Sequence, residues 1–220
     1  MKNYSILLFF LFGFSFNLIG QEYKLAQQYY NDGEFEKAAT LYKKLYDKQK
    51  NNEYYFGRYV NCLIYLESLD QAEKDLKSIL KEKSKSVNWY VVLGNIYELQ
   101  FKQEKAEKQY ILALEKLPKE RHQVIRLAQE FVRITKYDWA VKTYSKGAEL
   151  LKDKNIFAYY EADLQRRMGN TKEMITAYLN AIEYQENRMS SIQTIFQRFF
   201  SDSDYPVSYT HLTLPTICSV

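Results

Sequence analysis

Side chains able to make or break bonds are scarce in this chain. Its 220 residues include two cysteines and two histidines, namely Cys62, Cys218, His122 and His211. A histidine-paired metal site or a Ser-His-Asp relay needs histidine gathered beside other reactive groups, and the supply is too thin for either. Gly33, Gly57, Gly94, Gly147 and Gly169 stand isolated from one another, so they form no glycine-rich loop of the kind that cradles a phosphate. Carboxylates are plentiful but alternate with lysine, as in Glu104-Lys105 and Glu107-Lys108. That is the pattern of a solvated helix face, not of an acid/base pair. The 21 tyrosines, interleaved with lysines, could stack on single-stranded nucleic acid. A formal net charge of +4 gives little electrostatic drive toward a polyanion. The residues therefore predict no enzyme, no metal, no cofactor and no nucleic-acid partner. The chemistry they do offer is recognition, through amide, tyrosine and arginine side chains at regular spacing.

The spacing comes from a repeat. Seven glycines and three prolines are too few for a turn-rich β architecture. Steps of 34 residues from Ala38 reach Ala72, Ala106, Ala140 and Met174, and from Tyr42 they reach Leu76, Tyr110, Tyr144 and Tyr178. The same step links Ala26, Val60, Gly94, Ala128 and Ala162, and also Leu45, Ile79, Ala113, Gly147 and Ala181. The units run 19–52, 53–86, 87–120, 121–154 and 155–188, and 189–206 reads as the first helix of a sixth. Each unit holds two apolar-periodic stretches of helix length. Small residues at the eighth and twentieth positions let two helices close together, and aromatics at the eleventh and twenty-fourth fill the space beside them. Turns are predicted at Gly33, Asp70-Gln71 and Asn170-Thr171. One such hairpin cannot bury its own apolar face, so neighbours must stack.

Leu93-Gly94, Tyr97, Ala106, Tyr110, Ala113 and Pro118 of the third unit, with Ala26, Tyr29, Gly33, Ala38 and Tyr42 of the first, match the pattern of the tetratricopeptide repeat (TPR) family. The chain resembles that family over 21–188. The resemblance implies an all-α fold, a right-handed α-solenoid of antiparallel helix pairs. The fifth unit departs most, with Glu161, Gln165 and Met174 where apolar or small residues are usual, which puts its packing in question.

In the resembled family the first helices line a concave groove through positions two, five, nine, twelve and thirteen. Carried onto this chain, position nine reads Gln27, Asn61, Asn95, Gln129 and Asp163. Amides offer both donor and acceptor and could hold the backbone of an extended peptide. Tyr23, Tyr30, Tyr54, Tyr65 and Tyr159 lie around this column. Arg126, Arg133, Arg166 and Arg167 gather toward the fourth and fifth units, where they could pair with carboxylates. The expected partner is thus an extended, partly acidic protein or peptide segment. The family's dicarboxylate clamp is not expected, because Tyr23 stands where its first lysine would be.

The two ends read differently. Lys2 followed by the apolar stretch Ile6 to Ile19 and the small Gly20 is the pattern of a secretory signal peptide over 1–20. The apolar run is shorter than the roughly 20 residues of a spanning helix. Residues 207–216 match one reading frame of a transposase adapter used in DNA sequencing libraries, which marks 207–220 as adapter read-through and the native chain as cut near Tyr205. The single Cys62 then leaves no internal disulfide. The expected function is a secreted, periplasmic TPR scaffold for protein–protein interaction. The alternative is the periplasmic sensor part of a larger, truncated membrane signalling protein.

Overall fold

The computed structural model of the protein describes residues 20–81 and 86–201, and among them every regular element is helical. Helix α1 covers residues 20–31. It is followed by α2 (Phe35–Lys48), α3 (Glu53–Tyr65), α4 (Leu69–Leu80), α5 (Asn88–Leu99) and α6 (Gln103–Glu115). Then come α7 (Arg121–Arg133), α8 (Tyr137–Leu151), α9 (Ala158–Met168), α10 (Thr171–Tyr184), a 3-10 turn (Glu186–Arg188) and α11 (Met189–Ser201). Residues 1–19 of the signal segment expected over 1–20, and the adapter-like tail 207–220 with His211 and Cys218, lie outside the described residues.

The second helices begin at Phe35, Leu69, Gln103, Tyr137 and Thr171, 34 residues apart each time. The turn before each of them has one design. Gly33, Glu67, Phe101, Thr135 and Gly169 all have positive φ, from 54° to 77°. The residue after each donates its N–H back across the turn: Glu34 to the Tyr29 carbonyl, Ser68 to Leu63, Lys102 to Tyr97, Lys136 to Phe131 and Asn170 to Gln165, at 2.7–3.0 Å. This is the left-handed C-terminal cap that closes a helix and satisfies its last carbonyls. Three of these five positions hold residues for which that conformation is costly, since only glycine adopts it freely. The turn in the second unit is Glu67-Ser68. The expected pair Asp70-Gln71 belongs instead to the first turn of α4, and Thr171 opens α10.

The chain divides into two compact units, Met1–Leu112 and Ala113–Val220. In the first, Ala26, Ala38, Val60, Ala72, Ala106, Tyr42, Leu76 and Tyr110 are all buried, as is the thiol of Cys62. The Tyr59 hydroxyl ties α3 to α4 by donating to Asp75 Oδ2 at 2.8 Å. Helices α5 and α6 come so close that a Cβ on Gly94 would lie 2.3 Å from the Tyr110 ring.

In the second unit, a Cβ on Gly147 near the end of α8 would lie 2.4 Å from Val124 near the start of α7. The pair therefore runs antiparallel. Phe157, fully buried between α8 and α9, packs its ring 5.4 Å from that of Tyr144. Met174, questioned from sequence, is fully buried in a cluster with Ala158, Ala162, Tyr178, Ala181, Ile192 and Phe196. Its flexible thioether fills the space that a smaller residue fills elsewhere. Phe199 packs half-buried against this same cluster.

Candidate functional site

Position nine follows the buried eighth position by one residue, which turns each side chain about 100° away from the core. In the first unit this leaves Gln27 exposed and Asn61 and Asn95 half-buried. None of the three makes a side-chain hydrogen bond to another described residue. Their amides are solvated, with donors and acceptors open to a ligand.

Beside them the tyrosines of the first unit form one aromatic patch. Tyr23 meets Tyr54 edge-on with ring centroids 6.2 Å apart, and Tyr30 meets Tyr65 at 6.1 Å. Tyr65 stacks on Phe35 at 4.4 Å and 15°. Tyr54 and Tyr65 remain 44% and 59% exposed, so much of this aromatic area faces solvent.

Arg58 sits in the middle of the patch. Its guanidinium lies 4.6 Å from the Tyr30 ring centre and 5.2 Å from that of Tyr54, and its Nε donates to the Tyr54 hydroxyl at 3.0 Å. No carboxylate among the described residues lies within ion-pair distance of it. Burial works against the Arg58 charge, but the Tyr54 and Tyr30 hydroxyls outweigh it and raise its pKa. Burial likewise pushes Tyr54 up, and the Tyr23 and Arg58 neighbours bring it below the usual tyrosine value. Arg58 was not among the residues expected from sequence.

The second unit differs from expectation in its charges. Arg166 donates from Nη2 to Asp163 Oδ1 at 2.6 Å, and Arg167 Nε donates to Asp163 Oδ2 at 2.8 Å. Burial raises the Asp163 pKa, but the two arginines prevail and hold it below the usual carboxylate range. Arg133 is likewise bound to Glu130, with Nη2 at 2.5 Å. The expected basic half of the site is thus largely neutralised from within. The cause is local: Asp163 stands three and four residues before Arg166 and Arg167, and Glu130 three before Arg133, the spacing at which helix side chains meet. Arg126 and Gln129 are exposed. The Tyr159 ring is covered by the Arg188 guanidinium at 4.6 Å rather than left open.

The two polar departures of the fifth unit differ in what they meet. Gln165 accepts a hydrogen bond from Asn170 Nδ2 at 2.8 Å. Glu161 has no such relief, and burial alone raises its carboxyl pKa. Among the described residues no group of three or more His, Cys, Asp or Glu is gathered for a metal ion, and no helix is long and apolar enough to cross a membrane.

No protein-family model matches the chain, and no curated protein matches it. Among solved structures it is similar to TTC0263, a thermophilic TPR protein of Thermus thermophilus, at 17% identity and TM-score 0.43, over 78% of this chain and 94% of that one. It is also similar to the MamA protein at 16% identity and TM-score 0.39, over 78% and 94% of the two chains. YrrB, described as a TPR protein with an unusual peptide-binding site, is 14% identical with TM-score 0.36 over 78% and 88%. The described residues of this chain have a TPR-like fold in their own right, helix hairpins whose second helices recur every 34 residues.

Proposed function

We propose that the protein is a non-catalytic binding module that holds an extended protein segment on the first-helix face of its first unit. The observation that supports this reading most directly is the set of amides on Gln27, Asn61 and Asn95. Gln27 is exposed and Asn61 and Asn95 half-buried, none is bonded through its side chain to another described residue, and the Tyr54 and Tyr65 rings border them. Amides at a repeating interval suit a peptide backbone, and exposed tyrosines suit its apolar side chains. Arg58 adds a cation that no carboxylate among the described residues pairs with, which favours a segment carrying a carboxylate. The module works in the periplasm, directed there by the leader at 1–20, and it organises other envelope proteins.

A displayed peptide library, selected on the protein and re-measured on variants, tests the reading. Each neutral hydrogen bond is worth about 0.5–1.5 kcal/mol net. Asn61→Ala/Asn95→Ala is therefore expected to weaken selected peptides by about 5- to 100-fold while leaving the helical circular dichroism unchanged. Peptides that bind this double variant as well as they bind the original protein would refute the site. Cell fractionation tests the location independently.

A further inference from the structure

Arg58, Arg121 and Arg188 have no carboxylate within ion-pair distance among the described residues. Two of them, Arg121 and Arg188, line one small cleft in the second unit. Arg121 opens α7 and Arg188 closes the 3-10 turn before α11. Tyr159, Tyr160, Tyr184 and Asn155 complete the walls.

The tyrosine rings fix both cations from behind. Arg188 lies 4.6 Å from the Tyr159 ring centre, and Arg121 5.8 Å from that of Tyr160. Arg188 also donates from Nε to Gln185 Oε1 at 3.3 Å, which leaves its outer nitrogens uncommitted. Asp153 stands at the same end of the unit, but both its oxygens are engaged. Oδ1 accepts the Asn155 N–H at 3.1 Å, and Oδ2 accepts the Tyr184 O–H. Asp153 therefore holds the cleft wall in place; it keeps its negative charge there but makes no ion pair with either arginine.

Charge then selects the ligand. The cleft is a small recess partly open to solvent. Two guanidiniums place two positive charges there, each with a planar fork of donors that matches an oxyanion. The free N–H groups and positive dipole end of α7 lie beside Arg121 and act in the same sense. We propose that this cleft is a binding site for a phosphate-class dianion, gripped between Arg121 and Arg188. It is separate from the amide face of the first unit, and either can stand without the other. Tyr159, expected from sequence to serve a peptide groove, belongs to this cleft.

The test is a titration of the ¹⁵N-labelled full-length protein with sodium phosphate at constant ionic strength, chloride making up the balance, followed by NMR. Saturable shifts centred on the Arg121 and Arg188 signals are expected. Charge-assisted hydrogen bonds are worth about 1.5–3 kcal/mol, so Arg121→Gln and Arg188→Gln should each weaken binding by about tenfold or more. Lys142→Gln, which removes a charge of the same unit that lies over Trp139 and does not line the cleft, should change it less than about twofold. Arg188→Lys keeps the charge but not the fork and should fall between.

O-phosphoserine and inorganic phosphate are compared in parallel. Tighter binding of phosphoserine assigns the cleft to a phosphate carried on a larger ligand, and equal binding assigns it to the free ion. Three results overturn the proposal: no saturable shift with either probe, equal response to acetate, or equal weakening by Lys142→Gln.

Discussion

Gly57 and Gly94 both lie inside first helices of the first unit, and replacing each by alanine is expected to move stability in opposite directions. Inside a helix the exchange gains about 0.5–1 kcal/mol from backbone entropy alone. At Gly57 the new Cβ would meet Trp89 Cη2 at 3.4 Å, an ordinary contact, so that gain should survive. At Gly94 the new Cβ would lie 2.3, 2.7 and 3.0 Å from three carbons of the Tyr110 ring. Carbon atoms pack at about 3.5–4.0 Å, so the ring must retreat by about 1 Å, and it is a buried core ring with 2% of its surface exposed. Overpacking a core costs about 1–3 kcal/mol, and an overlap with a ring rather than a flexible chain end belongs at the top of that range. The net expectation is a loss of about 2 kcal/mol, or about 4–8 °C in Tm for a chain of this size. Thermal and urea denaturation followed by circular dichroism measure both variants. Tyr110→Leu removes the obstructing ring, so Gly94→Ala made on that background should recover the helix gain, with a coupling of about 2–3 kcal/mol in the double-mutant cycle. If Gly94→Ala is as stable as the original protein, or equally damaging with and without the Tyr110 ring, close helix approach is not what fixes this glycine.

Phe101 is 96% exposed and sits at φ 61°, so its ring contributes little packing while its backbone is strained. Phe101→Gly should raise stability by about 1 kcal/mol, the cost of a left-handed residue, and the β-branched Thr135 should respond to the same exchange at least as strongly; both are read from denaturation midpoints. Glu161 has its carboxyl pKa raised by burial above the reference 4.5. Its stability contribution is therefore fully present below that value and is lost as pH rises through the raised pKa. Glu161→Gln should stabilise the protein at neutral pH, with the difference from the original protein vanishing near about pH 3.5, where both side chains are neutral; a constant difference across pH would contradict the assignment. Burial pushes the Cys62 thiol up to about 11, so in a Cys218→Ser background a disulfide reagent at pH 8 should label native protein about 100-fold or more slowly than urea-unfolded protein, because the thiolate is the reactive form.

The periodic part of the structure was legible because it is written in volume. Ala26, Ala38, Tyr42 and their partners at 34-residue steps are buried because a hairpin has few ways to close, and each way demands a small residue facing a large one. The turns were half legible. Gly33 and Gly169 announce a left-handed residue, but Glu67, Phe101 and Thr135 hold the same conformation without glycine. There the surrounding lattice imposes a backbone that local preference opposes, and no local signal reports it. Met174 was questioned for a related reason, since residue type alone does not show that a neighbouring helix has made room.

The site residues follow a different logic, one of charge rather than volume, and the sequence held more of it than the column positions revealed. A helix arginine with a carboxylate three or four residues away is satisfied by its own helix. Arg166 and Arg167 with Asp163, and Arg133 with Glu130, meet that condition and are paired as it requires. Arg58, Arg121 and Arg188 have no acid at those steps, and each turns to a tyrosine ring instead. A ring attracts a cation without cancelling its charge. These three arginines therefore keep a charge that a ligand can still use, whereas of the four singled out by their place in the repeat Arg133 shares its charge with Glu130, and Arg166 and Arg167 together share Asp163. Position in the lattice says which side chains reach the surface. The acids beside them decide which cations remain available there, and that second condition singles out Arg58 beside Tyr30 and Tyr54, and Arg121 and Arg188 within the fourth and fifth repeats.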